Sequence, residues 1–369
     1  MILKEISFFK EFACAMGACP NTCCKGWRIV FDEETYRRYL REKGKNGWRL
    51  RNSIKKVDEE VYFKASLKSC IFHEKQGTCQ LQRVMGEEYM PLICRRYPRF
   101  WQHYGVFAEE SLLLSCPQAA YLFLENLDCL EYQVSTRTVE YERWGTNDDE
   151  AYLYWLCELR ESMIRELWDS SRSRAQIVGQ LLRVMREIQE RVIHGEWQID
   201  ITEIMQKHKN SEALHIDAQV TDHMLTSGFY HRRLRTVSPQ LYQLCKRYFK
   251  AFDHLSVYQA NEKWEMLCTQ MHTRQKELDR VLRGYLVYYL QMVFLEVYED
   301  YSFVRKLAYG IMHMHILERL LSIYENENKS LSHRELAELI SVYERRGRHN
   351  EDVADGMYEK LYAALEAYD

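Results

Sequence analysis

The stretch Cys14-Ala-Met-Gly-Ala-Cys19-Pro-Asn-Thr-Cys23-Cys24-Lys-Gly-Trp27 puts four cysteines and one proline into fourteen residues. No apolar alternation and no helical stripe runs through it, so it reads as a loop ordered by its sulfurs. Further along lie Cys70, Cys79, Cys94 and Cys116, so eight of the 12 cysteines fall within the first 116 residues. Pro20, Pro91, Pro98 and Pro117, four of the five prolines, fall there or just beyond. The rest of the 369 residues is almost free of proline. An all-β chain needs turn signals about every 8–12 residues, and this one lacks them. The reading is a mainly α fold: a loop-rich cysteine metal-binding module over residues 1–128, packed on an α-helical body over residues 129–369.

Charge and hydropathy narrow the class. The net charge of −3 gives no pull toward nucleic acid. The first 128 residues carry 20 Lys and Arg against 16 Asp and Glu, leaving the helical part strongly acidic. Lys4, Glu5, Lys10 and Glu11 interrupt the N-terminus, so no secretory leader is expected. The most apolar run, Tyr285–Leu295, is too short to span a bilayer and contains Gln291. The expectation is a soluble, cytoplasmic protein with no membrane partner. In that compartment clustered thiols favour metal binding or catalysis over disulfides.

Local signals place the elements. Asp32 caps a helix to about Lys43, with Tyr36, Tyr39 and Leu40 on one face. Residues 44–58, rich in Lys45, Arg49, Arg51, Lys55 and Lys56, read as a basic exposed loop. Solvated charge is its default, and contact with an acidic partner its functional reading. Residues 70–98 surround a short helix near 80–90. Phe100–Leu114 forms a hairpin turning at His103–Gly105. Pro117 suits a first helical turn, so Ser115-Cys116-Pro117 opens a helix to about Leu127. Cys116 then sits at the positive end of a helix dipole, where a thiolate is favoured.

Asn147 with Glu150 starts a long helix carrying Tyr152, Trp155, Leu156, Leu159 and Ile164, which Ser170–Ser173 ends. A second helix runs to about Val192, and residues 195–237 mix loops with short helices. Ser238-Pro239 opens another helix, and residues 262–324 are helical with few breakers. Ser332 and Glu335 form a capping box, and Asn350 caps the last helix. No internal repeat is present.

The cysteines form two groups, C-x4-C-x3-C-C and C-x8-C-x14-C-x21-C. Thiolates so spaced on loops suit zinc or an iron–sulfur cluster, and eight suffice for two all-cysteine sites. The candidate metal ligands are Cys14, Cys19, Cys23, Cys24, Cys70, Cys79, Cys94 and Cys116. Cys23 and Cys24 are adjacent and their side chains diverge, so one ligates while the other packs or serves a second metal. His73 and His103 are alternative ligands. The plainer readings are buried thiols acting as small hydrophobes and a disulfide set. The spacing matches no standard zinc ribbon or finger. Cys129, Cys157, Cys245 and Cys268 lie outside the pattern and are expected to pack.

The residues around the eight cysteines resemble the flagellin lysine N-methylase family. The likeness is carried by Cys14–Trp27, Cys70-Ile-Phe, Cys79-Gln-Leu-Gln and Gly86-Glu-Glu-Tyr89. It continues through Cys94-Arg-Arg-Tyr97-Pro98-Arg99 and Leu114-Ser-Cys116-Pro117-Gln-Ala-Ala, with order and spacing agreeing at every cysteine. Tyr285–Phe294 is similar to the family's helical C-terminal part. A broader group of zinc- or iron-chelating cysteine-rich proteins shares the paired cysteines and the Cys-Arg-x-Tyr-Pro element. The resemblance implies methyl transfer from S-adenosylmethionine to the ε-amine of flagellin lysines. It also implies an iron–sulfur cluster, of the 4Fe-4S type, on some of these cysteines, with zinc as the alternative.

Such a transfer needs alignment, a dry channel and loss of the ammonium proton, but no radical. The sequence contains no glycine-rich turn after a first strand and no C-x3-C-x2-C loop. Catalytic and donor-binding residues are therefore unassigned. One reading has three of the first four cysteines holding a cluster whose remaining iron position meets the donor.

Arg95, Arg96 and Arg99 are an anion site or a structural set pairing with Glu87 and Glu88 or capping carbonyls. Trp27 and Tyr97 shield a cluster from water or pack. Tyr285, Tyr288 and Tyr289 line a lysine channel or form a buried central helix. His313 and His315, two apart on a helix, are structural. Beside the methyltransferase stand a non-enzymatic zinc or iron–sulfur protein and a flagellin binder without chemistry.

Overall fold

The N-terminal strand β1 (Ile2–Ile6) is pinned between two later ones. These are β7 (Phe107–Leu112), parallel to it with Ile2 opposite Phe107, and β8 (Tyr132–Thr136), antiparallel with Ile2 opposite Thr136. The strand β6 (Arg99–His103) completes a four-stranded sheet in the order β6-β7-β1-β8. β6 and β7 are the hairpin expected from sequence, with His103 opposite Ala108. The computed structural model describes residues 1–25, 29–57, 60–66, 69–138, 143–216, 218–228, 235, 238–252, 254–270, 272–328, 331–349 and 351–366.

Between β1 and β6 the chain builds a small separate core. Asp32 caps α1 (Glu33–Arg41), its Oδ1 accepting the Thr35 N–H at 2.8 Å as the sequence anticipated. The expected basic loop is instead a helix, α2 (Gly44–Ser53), followed by β2 (Ile54–Val57) paired antiparallel with β3 (Glu60–Phe63). Leu50 and Ser53 are buried on α2, and that buried face explains the helix. β4 (Ala65–Ser66) pairs with β5 (Ser69–Cys70). α3 (Gln80–Met85) and α4 (Leu92–Arg96) bracket a short turn at Glu87–Tyr89. Ile29, Tyr39, Leu50, Phe63, Phe72 and Leu81 form the core here, with Cys70, Cys79 and Cys94 packed against it.

The body is helical. α5 (Pro117–Glu125) opens at the expected proline, after Cys116 as N-cap. α6 (Glu150–Leu167) is capped by Asp149 rather than Asn147, whose side-chain amide is turned to the Tyr298 carbonyl at 2.6 Å. α7 (Arg174–Ile193) starts with a full capping box between Ser173 and Gln176. Next come α8 (Ile201–Lys207), α9 (Ala218–Gly228), α10 (Pro239–Phe252), α11 (Val257–Gln270) and α12 (His272–Val293). The last long elements are α13 (Phe303–Asn328), α14 (His333–Tyr343) and α15 (Glu351–Glu366). Ser332 and Glu335 make the capping box read from sequence. Asn350 lies outside the described residues.

α14 and α15 are joined by a π turn, Glu344–Arg348. Tyr285, Tyr288 and Tyr289 are buried on α12, as the central-helix reading has them. Among the described residues no helix is long and apolar enough to cross a membrane.

The sheet is fastened to the body by charge. Arg160 on α6 donates to both oxygens of Glu109 on β7, at 2.8 and 2.6 Å, with both side chains almost fully buried.

Candidate functional site: a cysteine face clamped by the C-terminal turn

The fold regroups the cysteines. The Cys70 N–H donates to the Cys24 carbonyl at 2.8 Å, which draws the second half of the first sequence group onto the second. His73 bridges to Cys79, and the Gln80 N–H donates to the Phe72 carbonyl at 2.8 Å, holding that loop in register. The result is a neighbourhood of Cys24, Cys70, Cys79 and Cys94. Burial pushes the Cys70 thiol up to about 12, and the charges of Cys24 and Cys79 add to the rise. Cys94 rises for the same reasons, burial first and then Cys70, Cys24 and Cys79. Cys14, Cys19 and Cys116 form a second neighbourhood, with Cys116 feeling Cys19 and Cys14 after burial.

The vicinal pair joins the two neighbourhoods. The Cys23 thiol donates to the Cys24 sulfur, so Cys23 keeps its proton and Cys24 is held below the usual thiol range. Burial opposes that shift, while the Thr22 hydroxyl and the Arg345 and Lys25 charges reinforce it. Of the pair, Cys24 is the sulfur that its surroundings favour as thiolate. The sequence gives Cys116 that role from its helix N-terminus, and the structure corrects it. The amides of Ala119 and Gln118 do favour a thiolate there, but burial outweighs them and lifts Cys116 to about 11.

Arg345 of the π turn crosses from the body to this face. Its Nη1 donates to Asn21 Oδ1 at 3.0 Å and to the Thr22 carbonyl at 3.1 Å. Its Nη2 donates to the carbonyls of Asn21 and Ser115, both at 2.9 Å. One guanidinium thus ties together the loops that carry Cys19, Cys23 and Cys116. Behind it, the buried Glu344 accepts from the Tyr285 hydroxyl and from Arg348 Nε at 2.6 Å. Tyr288 accepts the Leu114 N–H at 3.2 Å, which links the same network to the cysteine loop. Sequence reasoning missed Arg345 and Glu344. The available signal was three arginines around Gly347 directly after a capped, apolar-faced helix.

The remaining candidates sort out as follows. His73 Nε2 is buried without a hydrogen-bond partner next to Cys79. His103 is on the hairpin, its Nε2 3.2 Å from the Gly105 carbonyl. Arg96 stacks 4.0 Å over Trp101, and Arg99 Nη2 reaches the Phe12 carbonyl at 3.5 Å, both structural contacts. The Tyr97 hydroxyl is 3.1 Å from Ser115 Oγ, beside Cys116 and Cys23. Trp27 lies outside the described residues. Cys245 is buried as expected, and Cys157 is half-buried. Cys129 is exposed rather than packed, because it ends a short turn after α5. The side chain of Cys268 lies outside the description.

The described cysteines form no disulfide. Their soft sulfurs suit a thiophilic metal. Their geometry does not close on one: among the described residues no three His, Cys, Asp or Glu side chains are gathered so as to hold an ion.

Fold and site together define a helical body that clamps a cysteine-rich loop face. Residues 159–367 match the FliB lysine N-methylase C-terminal domain family, and the chain belongs to it. A lysine-N-methylase of Salmonella typhimurium (strain LT2) is 26% identical over 151 residues, 39% of this chain and 37% of that protein. The flagellar biosynthetic protein FliU of Salmonella muenchen is 27% identical over 135 residues, 35% of this chain and 80% of that protein. The matched part thus spans about 37% of the lysine-N-methylase's length. No solved structure matches the chain.

Proposed function

We propose that the protein transfers methyl groups from S-adenosylmethionine to lysine side chains of flagellin. The supporting observation is the family match over residues 159–367, which contains the π turn and Arg345. The relatives supply the substrate class: one is named a lysine-N-methylase and another a flagellar biosynthetic protein. In the reaction the neutral lysine nitrogen attacks the sulfonium methyl carbon. The carbon–sulfur bond breaks with its electron pair passing to sulfur, and the nitrogen releases a proton.

The fuller reading adds a thiophilic metal, a 4Fe-4S cluster or zinc, on Cys14, Cys19, Cys23, Cys24, Cys70, Cys79, Cys94 and Cys116. Its support is donor chemistry and the two thiol neighbourhoods. Metal analysis of anaerobically purified protein tests it, and protein isolated without iron or zinc overturns it. Cytoplasmic residence belongs to the same proposal.

The deciding assay mixes purified protein, flagellin and S-adenosylmethionine and looks by mass spectrometry for methyl-sized gains on lysine. Absence of any gain with a loaded metal site favours the non-enzymatic alternative, a metal protein whose cysteines hold the fold or carry electrons.

A further inference from the structure

A cavity of about 540 Å³ opens between α7, α11, α13 and the segment 211–216. That segment is laid directly on α7: the Leu214 N–H donates to the Ala175 carbonyl at 3.0 Å. The approach requires Gly179, since a Cβ there would fall 2.1 Å from the Glu212 carbonyl oxygen. The cavity floor is apolar, with Val178 and Ile311. On one wall the Arg319 guanidinium lies 3.7 Å over the ring of Trp264. On another, Arg174 pairs with Glu318 and holds Asp279 at 2.8 Å.

We infer that this cavity holds the methyl donor, a purine nucleoside carrying a zwitterionic amino-acid tail. The inference rests on the methyl-transfer reading above. Three features match the three parts of such a molecule. The Arg319–Trp264 stack gives a flat platform for a purine. The Arg174–Glu318 pair presents both signs of charge to an α-carboxylate and an α-amine. The apolar floor suits ribose and the sulfur-bearing chain. The volume falls in the range of about 300–1,000 Å³ typical of small-molecule sites. Buried His315 is bonded to the Thr221 hydroxyl at 2.8 Å, and burial together with the Arg319 and Arg174 charges keeps it neutral beside those two cations. Every residue named here lies within the family-matched part.

The test is calorimetric titration of the full chain with S-adenosylhomocysteine, beside the flagellin methylation assay. Arg319→Met removes the stacked charge, and Ala175→Leu fills the cavity without touching that charge. Each is expected to weaken binding about tenfold or more, with the melting temperature recorded as a folding control. If Arg319→Met fails to fold, Ala175→Leu decides. Wild-type affinity in the folded variants overturns the cavity assignment while methylation by the wild type still stands. A wild type that neither binds S-adenosylhomocysteine nor methylates flagellin overturns both.

Discussion

Arg345 donates to Asn21 twice, to its side-chain Oδ1 at 3.0 Å and to its carbonyl at 2.9 Å. These residues are far apart in sequence, and the contact joins the last third of the chain to the first cysteine loop. The same guanidinium also holds the Thr22 and Ser115 carbonyls. Arg345→Met keeps the stem and removes all four bonds. We expect a loss of about 2–4 kcal/mol, because hydrogen bonds from a charged donor are worth about 1.5–3 kcal/mol each and are not additive. The check is chemical denaturation with hydrogen exchange at residues 14–24. Unchanged protection there would refute the clamp. Arg345→Lys keeps the charge without the planar fork and is expected to fall between the two.

Thiol reactivity provides a second readout. Cys24 is held below the usual thiol range, whereas burial lifts Cys70 to about 12 and Cys116 to about 11. The thiolate is the reactive form. Limited alkylation of metal-free protein near pH 7.5, read by peptide mass spectrometry, is expected to modify Cys24 well before Cys70 or Cys116. Equal rates at the three sites would contradict this electrostatic arrangement. Cys94, lifted by burial more than by any charge, is expected to react among the slowest.

Much of the fold was legible in local signals. Asp32, Pro117 and the Ser332–Glu335 box act within one helical turn, so the chain declares them nearby. The β6–β7 hairpin is equally local. β1 was not legible: its partner strand begins at Phe107, and its own Lys4 and Glu5 break any apolar alternation. Glu5 is buried nonetheless, paired with Lys10 and Arg137. The eight cysteines were legible as a set, but their sorting was not. It depends on the Cys70–Cys24 backbone contact and on Arg345, neither of which leaves a mark in spacing.

The Arg160–Glu109 pair yields a stability prediction. Both side chains are buried and the bonds are bidentate. Removing Arg160 leaves buried Glu109 without its bidentate partner, with Lys4 still 3.7 Å away, which costs up to about 3–5 kcal/mol. Arg160→Met is expected to lower stability by about that much. Arg160→Met combined with Glu109→Leu is expected to recover a large part of it. A double variant no better than the single one would show that the pair's charge balance is not what holds β7 to α6.

Acid stability follows from buried histidines. Burial pushes His313 down to about 3, and the charge of Arg348 adds to the shift. His315 is pushed well below its usual value by burial and then by Arg319 and Arg174. The unfolded imidazole titrates near about 6.5. Between that value and the folded one, the unfolded chain takes up protons that the folded chain refuses, so acid favours unfolding. The stability is fully present above about pH 6.5 and erodes as pH falls toward 3, by up to about 1.4 kcal/mol per pH unit for each histidine. The carboxylates whose pKa values are lowered in the fold, such as Glu318, lose their contribution only below about pH 5. Melting temperature is therefore expected to fall between pH 7 and pH 5. His313→Gln, which can still hydrogen-bond the Tyr343 hydroxyl that lies 2.8 Å from His313 Nδ1, is expected to flatten that fall. An identical slope in wild type and variant would mean that His313 is already protonated in the fold, or that the unfolded chain does not gain its proton there.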